Sequence, residues 1–235
     1  MRAYQFVCKS QNKWSQRAPI YFNEERTFFV VVVLLGILAF PLMAQDYPKA
    51  EVFGGYSIEK LGLSDSDLNS IASGLGAAGA TDVSTSKWLK KGFIGSFTYN
   101  ATKMFGIEGD FRWNRGNIIT ANVSGVTGSA RWTDLSVLGG PRVTFRASNA
   151  VTPFVHALVG LDHATIGASA SGGGENASTS LPSDNNVGVA AGGGLDLKVN
   201  KAFAIRVIQA DYYFSRHYST NLNNLALSFG AVFHF

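Results

Sequence analysis

The chain has one cysteine, Cys8, so it can form no internal disulfide. Its four histidines, His156, His163, His217 and His234, show no metal-ligand spacing, so neither a metal nor a cofactor is expected. Proline (6) and methionine (3) are scarce, and charged residues make up only 15% against 46% hydrophobic ones, which excludes a disordered chain. Long apolar runs are also lacking: Thr27–Phe40 falls short of the roughly 20 residues that a membrane-crossing helix needs. Glycine, at 26 residues, and aromatics, at 12%, are plentiful, and this mixture leans towards an all-β fold.

The formal net charge of +4 is unevenly spread. Arg2, Lys9, Lys13, Arg17 and Arg26 against Glu24 and Glu25 place +3 of it in residues 1–44, which leaves residues 45–235 near neutral. Nucleic acid is therefore not an expected partner. Arg26 precedes the apolar stretch TFFVVVVLLGILAF, which is followed by Pro41, by Ala44 and by the polar Gln45-Asp46. A charge, an apolar core, a helix breaker and a small residue in this order predict a signal peptide cleaved after Ala44. The expected domains are thus residues 1–44, an N-terminal extension and cleaved signal peptide with its hydrophobic core at 27–40, and residues 45–235, one exported β domain.

Beyond residue 50 the apolar residues recur with period two, in segments of about ten residues or slightly more. In MFGIEGDFRWN, Phe105, Ile107, Phe111 and Trp113 alternate with Glu108, Asp110 and Arg112. Eight strands are predicted, near 50–59, 88–100, 103–114, 130–146, 152–164, 186–199, 202–216 and 223–235. Pro141 interrupts the fourth, where Gly139-Gly140 would supply a bulge. In the seventh the apolar phase slips, and a bulge near Ile208–Gln209 keeps Arg206, Gln209 and Asp211 on one face. Long connections at 60–87, 115–129 and 165–185 alternate with short ones, placing all long loops at one end of the sheet, as in a transmembrane barrel. GASASGGG reads as a mobile loop and DLNSIASGLG as a short helix. The aromatics divide into two girdles, with Trp88, Trp113, Trp132 and Tyr213 at the loop ends and Tyr99, Phe105, Phe145, Phe203 and Phe235 at the turn ends.

The opening strand AEVFGGYS, the GGPRVTF and IRVIQADYYFS stretches, and the terminal strand LALSFGAVFHF resemble the small outer-membrane β-barrel family of OmpA-like and OmpX-like domains. The resemblance implies an eight-stranded antiparallel up-and-down transmembrane β-barrel in the outer membrane of a Gram-negative bacterium. It also implies that Phe235, with Phe233 and Phe229, forms a signal read by the barrel-assembly machinery after escort by periplasmic chaperones. No second domain follows Phe235, so the peptidoglycan-binding module of full OmpA proteins is not expected.

Eight strands enclose a space that side chains fill. Glu108, Asp110, Asp134, Asp196 and Asp211 against Arg112, Arg142, Lys198 and Arg206 predict an interior network of paired charges, because unpaired ones would cost several kcal/mol each. A narrow channel for ions or small solutes is the alternative, and balanced charge offers it no selectivity. His217 and Ser219 in RHYSTN resemble the His-x-Ser pair of lipid A deacylases, but no acid follows Asp211 to orient the histidine, so no catalytic residue is assigned. Lys90, Lys91, Arg115, Arg131 and Arg216 at the loop ends could meet lipopolysaccharide phosphates, while Lys49, Lys103, Arg146 and Lys201 lie at the turn ends, as generic interfacial anchors would. The expected protein is a monomeric structural or surface-interaction barrel whose partners are outer-membrane lipids and lipopolysaccharide.

Overall fold

The computed structural model describes residues 47–148 and 150–235; the predicted extension, signal peptide and cleavage point lie outside the described residues. In chain order the elements are β1 (Ala50–Lys60), α1 (Asp65–Ala77), β2 (Thr81–Thr85), β3 (Trp88–Leu89), β4 (Lys91–Asn100), β5 (Phe105–Val123) and β6 (Val126–Thr144). They continue with β7 (Val151–Gly172), β8 (Glu175–Ser180), β9 (Asp184–Lys198), β10 (Phe203–His217) and β11 (Thr220–His234). Eight of the strands form a closed antiparallel ring in the order β1-β4-β5-β6-β7-β9-β10-β11, and β11 pairs back onto β1. Closure leaves no strand of the ring with an unpaired edge, the condition for placing a sheet in lipid.

Period-two sequence becomes an inside-out barrel. Ile107 is 66% exposed while its neighbour Glu108 is 1% exposed, and Phe111 at 39% adjoins Arg112 at 4%. Apolar side chains point outward and charged ones inward, the reverse of a soluble barrel. The outward face carries aromatic clusters: Phe93 lies against Phe111 and Trp113, Tyr56 against Phe229, and Phe203 against Phe233. Phe229, Phe233 and Phe235 are all exposed on this face. Phe235 is also held by its backbone, donating to Ala50 O at 2.8 Å and accepting from Lys49 N at 2.8 Å.

Several local expectations change. Residues 115–129 are paired strand nearly to the tip, turned by Ser124 (φ 51°) and Gly125 (φ 83°), as a tight two-residue hairpin demands. GASASGGG is no mobile loop: Gly167–Gly172 pairs with Ser180–Glu175. A span needs about 9–11 residues, so β5, β6 and β7, at 19, 19 and 22 residues, stand well clear of the apolar belt. The connection after β10 shrinks to Tyr218-Ser219, with φ of 49° and 66°. No bulge forms beside Pro141: Gly139↔Val159 and Arg142↔His156 remain in step, and the proline faces outward. The bulge of β10 lies between Arg206 and Gln209, and it leaves Arg206, Gln209 and Asp211 all inside. Trp132 and Tyr213 leave the expected girdle, for both are buried in the interior. The helix over DLNSIASGLG is present as α1.

Candidate functional site: the barrel interior and its rim

The lumen is a stack of paired charges. Near the turn end, Arg206 donates to both oxygens of Asp196 at 2.8 and 3.1 Å and to Gln209 Oε1 at 2.7 Å. Its guanidinium is sandwiched between the rings of Phe53 and Phe154, 4.1 and 4.2 Å from their centroids. Arg142 lies 3.8 Å from the Phe154 ring centre and reaches Glu51, Glu108 and Asp196 at 3.3, 3.6 and 3.4 Å. Arg146 also pairs with Glu51. Above them, His156 bridges Glu108 and Asp211 at 3.0 and 2.9 Å, an arrangement satisfied when both ring nitrogens carry protons. Arg112 completes this layer against Asp211 and, at 3.9 Å, Asp110. Glu51, Glu108, Asp110, Asp196 and Asp211 thus face Arg112, Arg142, Arg146, Arg206 and His156, a balanced set.

The next layer towards the loop end is acidic. Asp162 accepts from His217 Nε2 at 2.7 Å, and Asp134 lies beside them. Glu59 is held by the side-chain amides of Asn114 and Asn224 at 2.9 and 2.7 Å. An apolar lid of Leu61, Leu89, Ile118, Trp132, Ala164 and Leu222 covers this compartment, and the Trp132 ring meets the His217 ring edge-on at 6.2 Å.

Of the nine residues predicted to form the interior network, Glu108, Asp110, Arg112, Asp134, Arg142, Asp196, Arg206 and Asp211 are buried inside. Lys198 is not among them: it is half-buried at the turn end and makes no ion pair among the described residues. Sequence reasoning missed Glu51, Glu59, His156 and Asp162, and it placed Arg146 among the interfacial anchors, whereas the side chain turns in to pair with Glu51. Counting every second residue from Glu51 to Glu59, and from His156 to Asp162, would have found the acids and the histidine, but the inward Phe53 and Leu158 disguise the polar face of those strands. His217 and Ser219 do not share a strand face. The histidine points inward to Asp162, while Ser219 is exposed in the turn. An acid does orient His217, but it comes from β7.

Outside, at the loop end of the apolar belt, Lys90, Lys91, Arg115 and Arg131 surround a groove of about 480 Å³ walled by Trp88 and Trp113. Arg131 Nε is fixed by Asn117 Oδ1 at 3.0 Å, and Lys91 and Arg115 are directly opposed across β4 and β5. Four cations and two indoles at the boundary of an apolar belt can take anionic groups at membrane-surface height.

Residues 32–235 match the family described as "Outer membrane protein beta-barrel domain". Among solved structures the chain is similar to Ail, the attachment invasion locus protein of Yersinia pestis, with 19% identity and a TM-score of 0.47 over 80% of this chain and 99% of that one. Neisserial surface protein A is 14% identical with a TM-score of 0.44, covering 81% of this chain and 100% of its own. The outer membrane protein OprG from Pseudomonas aeruginosa is 11% identical with a TM-score of 0.47, over 80% and 96%. No curated protein matches the sequence.

Proposed function

The chain belongs to the outer membrane protein beta-barrel domain family and resides in the cell outer membrane, and from that premise we propose that it is a structural and surface-interaction protein with a side-chain-filled interior. The observation that carries this reading is the stack of buried charges beneath an apolar lid. Arg142, Arg206, Gln209 and Asp211, taken from two strands, are all out of contact with water, so a hydrated path would have to break their pairing. That favours a filled barrel over a narrow channel.

The work is then done on the outer face. The groove of Lys90, Lys91, Arg115 and Arg131 suits phosphorylated lipopolysaccharide headgroups: arginine offers paired donors, lysine a mobile point charge, and Trp88 and Trp113 an interfacial anchor. No catalytic role is assigned, since His217 is turned inward and Ser219 outward. Assembly follows the resemblance: Phe229, Phe233 and Phe235 lie on the lipid face of the closing strand, where the assembly machinery would read them in a monomer.

Planar-bilayer recording tests the interior, with no reproducible conductance steps expected; regular steps would overturn the filled-barrel reading. For the surface, replacing Lys90, Lys91, Arg115 and Arg131 together by Gln is expected to cut co-purifying lipopolysaccharide several-fold while heat-modifiable migration persists. Undiminished lipopolysaccharide on the folded variant would remove the groove from the proposal.

A further inference from the structure

The acidic compartment under the lid brings together three side chains from three strands: Asp134 of β6, Asp162 of β7 and His217 of β10. Each offers a ligand atom, and these atoms lie within 4.8 Å of one another. All three residues are more than nine-tenths buried, at 4%, 1% and 1% exposure. Asp134 Oδ1, Asp162 Oδ1 and the buried hydroxyl of Tyr213 form no well-aligned hydrogen bond among the described residues, although Asp134 and Tyr213 both lie against Asp162. Glu59 is close enough to act electrostatically on both aspartates. No lysine or arginine among the described residues makes an ion pair with Glu59, Asp134 or Asp162. Arg112 acts electrostatically on Glu59 and Asp134, but its ion pairs are with Asp110 and Asp211.

This layer therefore differs from the balanced stack beneath it. Three carboxylates in a largely enclosed compartment have one imidazole in contact with them and a guanidinium only at longer range, and unpaired buried charge costs several kcal/mol per group. A cation at the point of convergence would resolve both the repulsion and the unpartnered oxygens. The donor set is two carboxylates and an imidazole, which selects a borderline divalent ion over a purely oxygen-seeking one. The second ring nitrogen of His217 faces Asp184 Oδ2 at 3.6 Å, the kind of outer carboxylate that orients a metal-bound histidine. Asp184 is itself held by the Tyr218 N–H at 2.6 Å, and its 30% exposed side chain links the compartment to solvent.

We propose that Asp134, Asp162 and His217 bind one divalent transition-metal cation of the zinc type, with His217 ligating through Nε2 and the ion tying β6, β7 and β10 together beneath the lid. The site was invisible to spacing rules because its ligands come from three strands. The ion is a structural staple, independent of what the outer groove binds.

Tag-free protein extracted folded from outer membranes, stripped with chelator and checked by heat-modifiable migration, is titrated calorimetrically with Zn²⁺, Mn²⁺ and Ca²⁺. The expected result is one Zn²⁺ per chain that survives desalting and raises the urea midpoint. Asp162→Asn and His217→Gln should abolish uptake, and Asp184→Asn should weaken it roughly tenfold without changing the stoichiometry. Ser219→Ala should leave it unchanged. Should the first two variants fail to fold, Asp134→Asn, which keeps the side-chain volume, decides, together with the Co²⁺ absorption spectrum of the unsubstituted protein. Absence of stoichiometric Zn²⁺ binding by folded protein overturns the proposal. So does uptake undisturbed in the folded variants, or preference for Ca²⁺ over Zn²⁺.

Discussion

Arg206 illustrates what a single residue must satisfy inside this barrel. It is fully buried, so its charge is tolerable only because Asp196 takes two of its donors, Gln209 a third, and two aromatic rings cover its faces. Arg206→Met is expected to destabilise the barrel by about 3 kcal/mol, because it strands Asp196 with only Arg142, at 3.4 Å, for a partner. Adding Asp196→Leu to the same chain should restore part of that loss, since an apolar pair leaves no unpaired charge between Phe53 and Phe154. Urea unfolding in lipid vesicles measures both, and strictly additive losses would show that the pair is not coupled. The identity of such residues was readable from strand parity, whereas their partners were not: Asp196 and Arg206 share a hairpin, but Glu51 and Arg142 do not.

Among the elements, the hairpin of β10 and β11 stands out. Its turn residues Tyr218 and Ser219 both take left-handed backbone conformations without glycine, whereas Gly173-Gly174 and Ser124-Gly125 meet the same demand with glycine in one or both places. The turn is held by the Tyr218 N–H to Asp184 and by the Tyr218 hydroxyl, which donates to Pro182 O at 3.0 Å. Ser219→Gly is expected to raise stability by about 0.5 kcal/mol, and Ser219→Val to lower it by about 1 kcal/mol, through the backbone alone. The urea midpoints of the two variants should move in opposite directions; movement in the same direction would mean that the Ser219 side chain has a role of its own. The sequence placed a connection at 217–222 but could not shrink it to two residues, because left-handed non-glycine turns carry no compositional mark.

For the whole molecule, closure decides everything else. β1 is paired along nearly its whole length with β11, from Glu51↔His234 to Lys60↔Leu225, and the Phe235 backbone anchors the seam at Ala50 and Lys49. Deleting Phe235 removes its three backbone hydrogen bonds to Lys49 and Ala50 and an exposed aromatic of the lipid face. The variant is expected to yield several-fold less heat-modifiable protein in outer-membrane fractions, and an unchanged yield would separate the terminal residue from assembly. A closed ring also explains why charged residues can be abundant inside a membrane protein: besides partners on the adjacent strand, such as Asp196 for Arg206, they reach partners across the lumen, such as Asp211 for Arg112 and Glu51 for Arg142.

The alternation of apolar and polar residues by itself determined the eight strands of the ring, which face of each meets lipid and where β10 must bulge. Side-chain period two suffices for that, because a strand reads its two faces independently of what lies beside it. Tertiary structure alone decided which inward residues meet. Strand order, tilt and stagger bring Asp134, Asp162 and His217 within 4.8 Å although 55 residues separate the last two. It likewise drew Lys90, Lys91, Arg115 and Arg131 around one groove. The physical reason is that faces are a local property of the backbone, while contacts across a lumen are set by how the whole sheet closes.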